Sequence, residues 1–115
     1  MILSIVCSGY RSENFEKLYD SIEKSFSGEW ELIICGPNAP TFEAENFLFI
    51  QDYGSPARCC QRALLMAKGD YVSFAWDDGV YLPGMLDKLY VVTKAGFENL
   101  GIVGKFYETK SKGYC

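Results

Sequence analysis

The stretch Gly69 to Gly84, GDYVSFAWDDGVYLPG, decides the fold. An apolar segment, Tyr71 to Trp76, predicts a buried strand that ends in two adjacent carboxylates, Asp77 and Asp78. Neighbouring carboxylates repel each other unless a cation or a hydrogen-bond donor lies between them, and their oxygens suit a hard ion such as Mg²⁺ or Mn²⁺. The alternative is that both acids are solvated and that Asp78-Gly79 forms a turn. The pattern therefore leaves two interpretations of the acids, a metal site and a turn.

Length and composition indicate one globular domain. At 115 residues the chain is long enough to bury one core, and its content of 49% hydrophobic and 16% aromatic residues excludes disorder. The net charge of −4 supplies no basic field for nucleic acid, which we exclude as a partner. No apolar run approaches the roughly 18 residues of a membrane span, and no basic leader precedes the first strand. We expect a cytoplasmic protein with a single domain, residues 1–115, and no transmembrane segment.

Histidine and cysteine usage excludes several kinds of site. The chain has no histidine, which excludes histidine metal sites, Ser/His triads and Cys/His dyads. Its five cysteines show no CxxC spacing. Cys7, Cys35, Cys59 and Cys60 lie in apolar stretches, so we expect them to be reduced core residues.

Hydrophobic patterning predicts five strands and three helices in the order β-α-β-β-α-β-α-β. Apolar, β-branched runs predict strands, and apolar residues at helical spacing predict helices. The strands are residues 2–7, 30–35, 47–51, 71–76 and 100–107; the helices begin at Ser12, at Ser55-Pro56 and at Pro83, and end near Gly28, Ala67 and Gly96. This alternation predicts an α/β fold with a mainly parallel, Rossmann-like sheet and helices on both faces.

Four loops are predicted to meet at one edge of this sheet. In parallel sheets, ligands bind beyond the carboxyl ends of the strands, where the strand order reverses. If the first and fourth strands are neighbours at that reversal, residues 8–12, 36–38, 52–58 and 77–81 form the crevice. The chain has neither GxGxxG after its first strand nor GxxxxGK[ST], which excludes a dinucleotide fingerprint and a P-loop.

Three segments carry a resemblance to a known family. They are ILSIVCSGYRSENFEKLYDSIEKS (2–25), WELIICGPN (30–38) and RALLMAKGDYVSFAWDDGVYLPGMLDKL (62–89). Together they resemble the nucleotide-sugar half of a family 2 glycosyltransferase with the GT-A fold. The resemblance covers residues 2–92 and is most specific in the A-x-G-[DE]-Y strand that ends in acids and precedes a P-x-x-L helix.

The resemblance implies a reaction and a metal. The reaction is transfer of a sugar from a nucleoside diphosphate, a UDP-sugar being the first candidate, to an unknown acceptor with inversion at the anomeric carbon. The family's acids bind the Mn²⁺ or Mg²⁺ that bridges the two phosphates of the donor. Carried onto this chain, Asp78 would be the principal metal ligand, and Asp77 would contact the ribose or support the metal.

The resemblance also implies nucleotide-binding residues. Ser8, Tyr10 and Arg11 would frame the base and the ribose, since a tyrosine ring stacks on a base and a serine hydroxyl bonds its edge. Arg58 would donate to a phosphate. The alternatives are that Tyr10 is a rim aromatic, that Ser8 only forms a turn and that Arg58 is a solvated arginine on a helix surface.

The chain departs from the family in two places. Its second strand ends in Cys35-Gly36-Pro37, where many members have a base-reading aspartate, so either another group such as Asn38 reads the base or nucleotide binding is weak. The catalytic base of the family lies in an acceptor-binding half after the fifth strand, and we expect this chain to be truncated before that half. Glu108 is the one acid that follows the predicted fifth strand, and its position is poor for a base. The catalytic residues are therefore unknown.

Two functions remain open from the sequence. One is a glycosyltransferase domain that binds its donor through a divalent metal. The alternative is a non-catalytic GT-A-like module that binds a nucleotide or a protein; a third, weaker hypothesis is a structural α/β domain. Exposed aromatics around Tyr53, Tyr81 and Phe106 are, from composition alone, a candidate surface for a homo-oligomer.

Overall fold

The chain folds around a sheet of four parallel strands. The computed structural model describes residues 2–94. Its elements are β1 (Ile2–Ser8), α1 (Phe15–Ser25), β2 (Glu29–Gly36), β3 (Phe47–Gln51), α2 (Pro56–Leu65), β4 (Tyr71–Trp76) and α3 (Met85–Lys94), with a 3-10 turn, Ser12–Asn14, before α1. The strand order is β3-β2-β1-β4, and every neighbouring pair is parallel. The predicted α/β class with a parallel sheet is confirmed, and the topology is compatible with a Rossmann-like fold.

The element boundaries mostly follow the predictions. The first four strands begin and end within one residue of the predicted positions, and Ser55 caps α2 by accepting the Arg58 backbone N–H at 3.2 Å. The predicted N-cap at Ser12 is wrong, because residues 12–14 form the 3-10 turn and α1 starts after Asn14. α3 starts at Met85, two residues after Pro83. The predicted fifth strand and the helix stop at Gly96 lie outside the described residues.

Helices cover both faces of the sheet because successive strand side chains point to opposite faces. One core lies under α1 and the start of α3, and a smaller core lies under α2. The first contains Leu3, Ile5, Leu32 and Ile34 of the strands with Phe15, Leu18, Ile22 and Leu86 of the helices; the second contains Val6, Ile33 and Cys35 with Cys59 and Ala63. Cys7, Cys35 and Cys59 are buried as expected, Cys60 is half-buried at the edge of the smaller core, and none of the four forms a disulfide within the described residues. Burial raises the pKa of the Cys7 and Cys35 thiols to about 12.

β4 is less buried than its sequence suggests. The prediction of a buried strand is wrong for one face, where Phe74 and Trp76 are 60% and 66% exposed. The cause is that α2, which lies on this face, packs over β1 and β2. The other face, with Tyr71 and Ala75, packs against the larger core.

The strand order reverses between β1 and β4. From β1 the chain crosses through α1 to β2 on one side, and from β3 it crosses back through α2, on the opposite face, to β4 on the other side. β1 and β4 are therefore neighbours, with Ser8 opposite Trp76 in the register. The loops that leave their carboxyl ends meet at the position where open α/β sheets bind ligands.

Candidate functional site

The Asp77 carboxylate joins the loops that follow β1 and β4. Its Oδ2 accepts the backbone N–H groups of Tyr10 at 2.7 Å and Arg11 at 2.9 Å, and its Oδ1 accepts Nη1 of Arg11 at 2.9 Å. The Asp77 side chain is only 10% exposed. Hydrogen bonds to an ionised carboxylate are stronger than those between neutral groups, so these contacts fix the β1 loop against the end of β4.

Tyr10 has its main chain fixed on both sides. Asp77 accepts its N–H, and Nδ2 of Asn38, from the loop after β2, donates to its carbonyl at 2.7 Å. The residue is nevertheless 55% exposed. The structure therefore presents an aromatic ring on a fixed backbone at the carboxyl edge of the sheet. Asn38, the candidate for reading a base, uses its amide N–H to support Tyr10.

Asp78 is the accessible member of the acid pair. Its side chain is 64% exposed, and its Oδ2 lies 3.9 Å from Nη1 of Arg11. The turn that was the alternative interpretation is present, since the Gly79 N–H donates to the Trp76 carbonyl at 3.2 Å. It does not require glycine, because Gly79 has no positive φ and a Cβ there would lie 3.7 Å from its nearest neighbour. The turn therefore directs Asp78 to solvent and is compatible with either interpretation of the acids.

The acid pair fits a metal only if a ligand completes the coordination. Within residues 2–94 no three or more acidic, cysteine or histidine side chains lie close enough together to hold an ion. Mg²⁺ in particular keeps several waters and is commonly bound through one or two carboxylates plus phosphates of the substrate. The exposed Asp78 carboxylate meets that description, and Asp77 is already engaged by three donors.

The remaining predicted site residues are divided between two places. Ser8 ends β1, beside the Tyr10–Arg11 loop. Arg58 lies elsewhere, because its Nε donates at 3.0 Å to Asp52, which follows β3. β3 and β4 are the outer strands of the described sheet, so their ends are separated by three strand spacings, about 14 Å. The structure brings Ser8, Tyr10, Arg11 and the acids together, and it does not bring Arg58 to them.

Asp52 is a structural acid that the sequence analysis missed. Its buried carboxylate accepts Nη1 of Arg62 at 2.7 Å, Nε of Arg58 and the Gly54 N–H. The Arg62 and Arg58 hydrogen bonds hold the pKa of Asp52 well below its usual range. The sequence contains a signal for this cluster: Asp52 follows a predicted strand, and Arg58 and Arg62 are four residues apart and so share one face of the next helix. The cluster ties the end of β3 to α2.

A groove of about 500 Å³ lies beside α1, and neither member of the acid pair lines it. It runs between α1 and the segment after Gly79, and none of the predicted site residues lines it. Its lining consists of Glu13, Glu16, Lys17, Asp20, Ser21, Lys24, Val80, Tyr81 and Pro83. Tyr81 is half-buried there and shares a 2.8 Å hydrogen bond with Ser73, so it does not belong to an exposed aromatic surface. Tyr53 is 79% exposed, and Phe106 lies outside the described residues.

Comparison with family models and with curated proteins gives no match. None of the helices within residues 2–94 is long and apolar enough to cross a membrane.

Proposed function

We propose that the chain is a glycosyltransferase-like domain that binds a nucleoside-diphosphate sugar at the carboxyl ends of β1 and β4. The observation that carries the proposal is the junction of the Tyr10–Arg11 loop with the Asp77–Asp78 pair at the reversal of strand order. An aromatic ring, a guanidinium and an exposed carboxylate thus lie at one edge of the sheet.

Each group suits one part of such a ligand. The Tyr10 ring offers a face for stacking a base, and Ser8 at the end of β1 offers a hydroxyl for the base edge or the ribose. Arg11 offers planar donors that match phosphate oxygens. Asp78 would hold a divalent ion, which supplies a Lewis acid that stabilises negative charge on the departing diphosphate. Asp77 orients the loop that carries Tyr10 and Arg11.

Calorimetric titration of UDP, with and without Mn²⁺, tests the proposal. We expect UDP to bind more tightly in the presence of Mn²⁺. In Asp78→Asn, the UDP affinity measured with Mn²⁺ should be at least tenfold lower than in the wild type, which corresponds to about 1.4 kcal/mol. Asp20→Asn is the matched control, because Asp20 is an exposed acid on α1 and its loss changes the net charge equally. Absence of UDP, GDP and CDP binding at millimolar concentration would refute the proposal.

A second assay separates an enzyme from a binding module. Incubation of the chain with UDP-sugars, with and without simple sugar acceptors, is followed by measurement of released UDP. If UDP is released by the wild type and not by Asp78→Asn, the chain is an enzyme. Binding of the donor without release supports the non-catalytic module that the sequence left as the alternative.

A further inference from the structure

The outer edge of β3 carries backbone groups that no strand of residues 2–94 pairs. β3 lies at one end of the strand order, and only its inner edge bonds β2. The Asp52 N–H, immediately after β3, donates to the Gly36 carbonyl of β2 at 2.9 Å. Because the backbone groups of successive residues face opposite edges of a strand, the N–H and C=O groups of Phe49 and Gln51 face the outer edge.

This outer edge lacks the side chains that commonly prevent pairing between molecules. Proteins protect exposed strand edges with charged side chains, especially lysine, and with proline. Residues 46–51, NFLFIQ, include neither a charged residue nor a proline, and Leu48 is 40% exposed. The edge is therefore able to accept a further strand.

The two flanks of β3 carry charges of opposite sign. Glu43 and Glu45 are exposed just before the strand. Arg58 and Arg62 are exposed beyond its other end, where the buried Asp52 balances only one of them. The flank before β3 is thus acidic, and the flank after it is basic.

We propose that β3 pairs in antiparallel orientation with β3 of a second copy of this chain, about a two-fold axis at Phe49. In this register Phe49 exchanges backbone hydrogen bonds with Phe49 of the second copy. The Gln51 N–H of each copy donates to the Phe47 carbonyl of the other, while the Phe47 N–H keeps its bond to the Ala44 carbonyl.

The charges favour this orientation over a parallel one. Antiparallel pairing places the acidic flank of each copy opposite the basic flank of the other, whereas an in-register parallel pairing would place like charges together. The surface is also self-complementary, which a two-fold dimer requires. The inference does not depend on the proposed function.

Sedimentation velocity of the wild-type chain over a range of concentrations tests the proposal. A five-residue strand supplies few hydrogen bonds, so we expect a weak dimer, of twice the 13.0 kDa mass of the chain, with a dissociation constant on the order of 10 µM. Gln51→Pro removes the outward N–H and should raise that constant at least about tenfold. Gln51→Ala is the matched control and should stay within about threefold of the wild type, because it loses the same side-chain bonds to Pro37 and Tyr53 but keeps the N–H.

Reversal of the acidic flank is the second variant. Glu43→Arg combined with Glu45→Arg brings positive charge against the basic flank of the other copy and should weaken the dimer at least about tenfold. Glu13→Arg combined with Glu16→Arg changes the net charge equally beside α1 and should leave the dissociation constant within about threefold of the wild type. A thermal melt checks folding, and the flank variant decides the question if Gln51→Pro does not fold.

Amide hydrogen exchange identifies the edge that pairs. When the protein concentration is raised through the dissociation constant, exchange at Phe49 and Gln51 should slow. Ile50 is the internal control, because its N–H faces β2 and its exchange should not depend on dimer formation.

Three outcomes would overturn the proposal. One is a chain that stays monomeric up to about 1 mM. Another is a dimer that neither Gln51→Pro nor the flank reversal weakens, which would place the interface elsewhere. The third is protection of the Phe49 and Gln51 amides that does not change with concentration, which would mean that another segment of the same chain occupies the edge.

Discussion

Oδ1 of Asp77 accepts the guanidinium of Arg11 at 2.9 Å, while Oδ2 of the same carboxylate accepts the Arg11 backbone N–H at 2.9 Å. The Asp77 side chain thus fixes both the backbone of the β1 loop and the position of the Arg11 guanidinium. Asp78, the next residue, makes a longer contact to the same guanidinium and remains exposed. The two adjacent acids therefore have different contacts and exposure, and substitutions distinguish them.

Asp77→Asn is expected to destabilise the protein, and Asp78→Asn is not. The amide introduced by Asp77→Asn lacks the charge and has one acceptor oxygen fewer, and hydrogen bonds to charged groups contribute about 1.5–3 kcal/mol each to stability. An exposed substitution such as Asp78→Asn should change stability by less than about 0.5 kcal/mol. Urea unfolding of both variants measures the difference. Equal stability of the two variants would contradict the assignment of Asp77 as the anchor of the loop.

Gly36→Ala is expected to displace the β1 loop. A Cβ at Gly36 would lie 1.8 Å from the Gly9 carbonyl oxygen, which is backbone and cannot move aside alone. Overpacking of this kind costs about 1–3 kcal/mol or more, and here it pushes the residue that precedes Tyr10. We expect lower stability in urea unfolding and, under the proposed function, weaker UDP binding.

Gly79→Ala is the control for that substitution. Its Cβ would lie 3.7 Å from the nearest atom, at ordinary contact distance, so urea unfolding should detect little change. Comparable destabilisation of the Gly36 and Gly79 variants would indicate that the close approach of Gly36 to Gly9 is not the cause.

Ser25→Ala is expected to detach the start of α3. The Ser25 side chain is fully buried, and its Oγ accepts the Leu86 backbone N–H at 2.9 Å. Alanine would leave that donor unsatisfied at a cost of about 1–3 kcal/mol. Ser27→Ala removes an exposed hydroxyl that donates to Asp87 of α3 at 3.1 Å, and it should cost less than Ser25→Ala, because water can replace that exposed bond. Thermal unfolding compares the two, and equal losses would argue against a buried anchor at Ser25.

Stability is expected to fall in acid through Asp52. Hydrogen bonds from Arg62 and then Arg58 lower its pKa in the folded state, so the folded protein binds fewer protons there than the unfolded chain. The contribution is therefore present above the unfolded pKa of about 3.9 and is lost as pH falls further, towards the lower folded pKa. Urea unfolding from about pH 6 to about pH 2.5, a range that spans the unfolded pKa, should show a shallower pH dependence in Asp52→Asn than in the wild type. Parallel curves would contradict the prediction.

Arg62→Gln provides an independent check on the Asp52 cluster. Removal of the closest donor should raise the folded pKa of Asp52 towards its usual value and reduce the acid-dependent loss of stability. Lys17→Gln, which removes an exposed cation from α1 and leaves Asp52 unchanged, is the control and should retain the wild-type pH dependence below about pH 4, near the unfolded pKa of an aspartate.

The sequence by itself determined the α/β class, the bounds of four strands and the cap at Ser55. These features depend on local chemistry: apolar β-branched runs, helical spacing of apolar residues, and a serine before a proline. It also singled out Asp77 and Asp78 at the end of a predicted strand, and the family resemblance added Tyr10 and Arg11. It did not indicate that Ser12 lies in a 3-10 turn, which depends on how the β1 loop is held.

Only the tertiary structure decided what the acids contact. Asp77 and Arg11 are separated by 66 residues, so their bond exists only because β1 and β4 are neighbours. The same applies to β4, whose second face is exposed because α2 packs over other strands. Strand order also decides that Arg58 and its partner Asp52 lie at the opposite side of the sheet from the acid pair. Local patterns specify elements and residue types, whereas the partners of a charged side chain are set by strand order and helix placement.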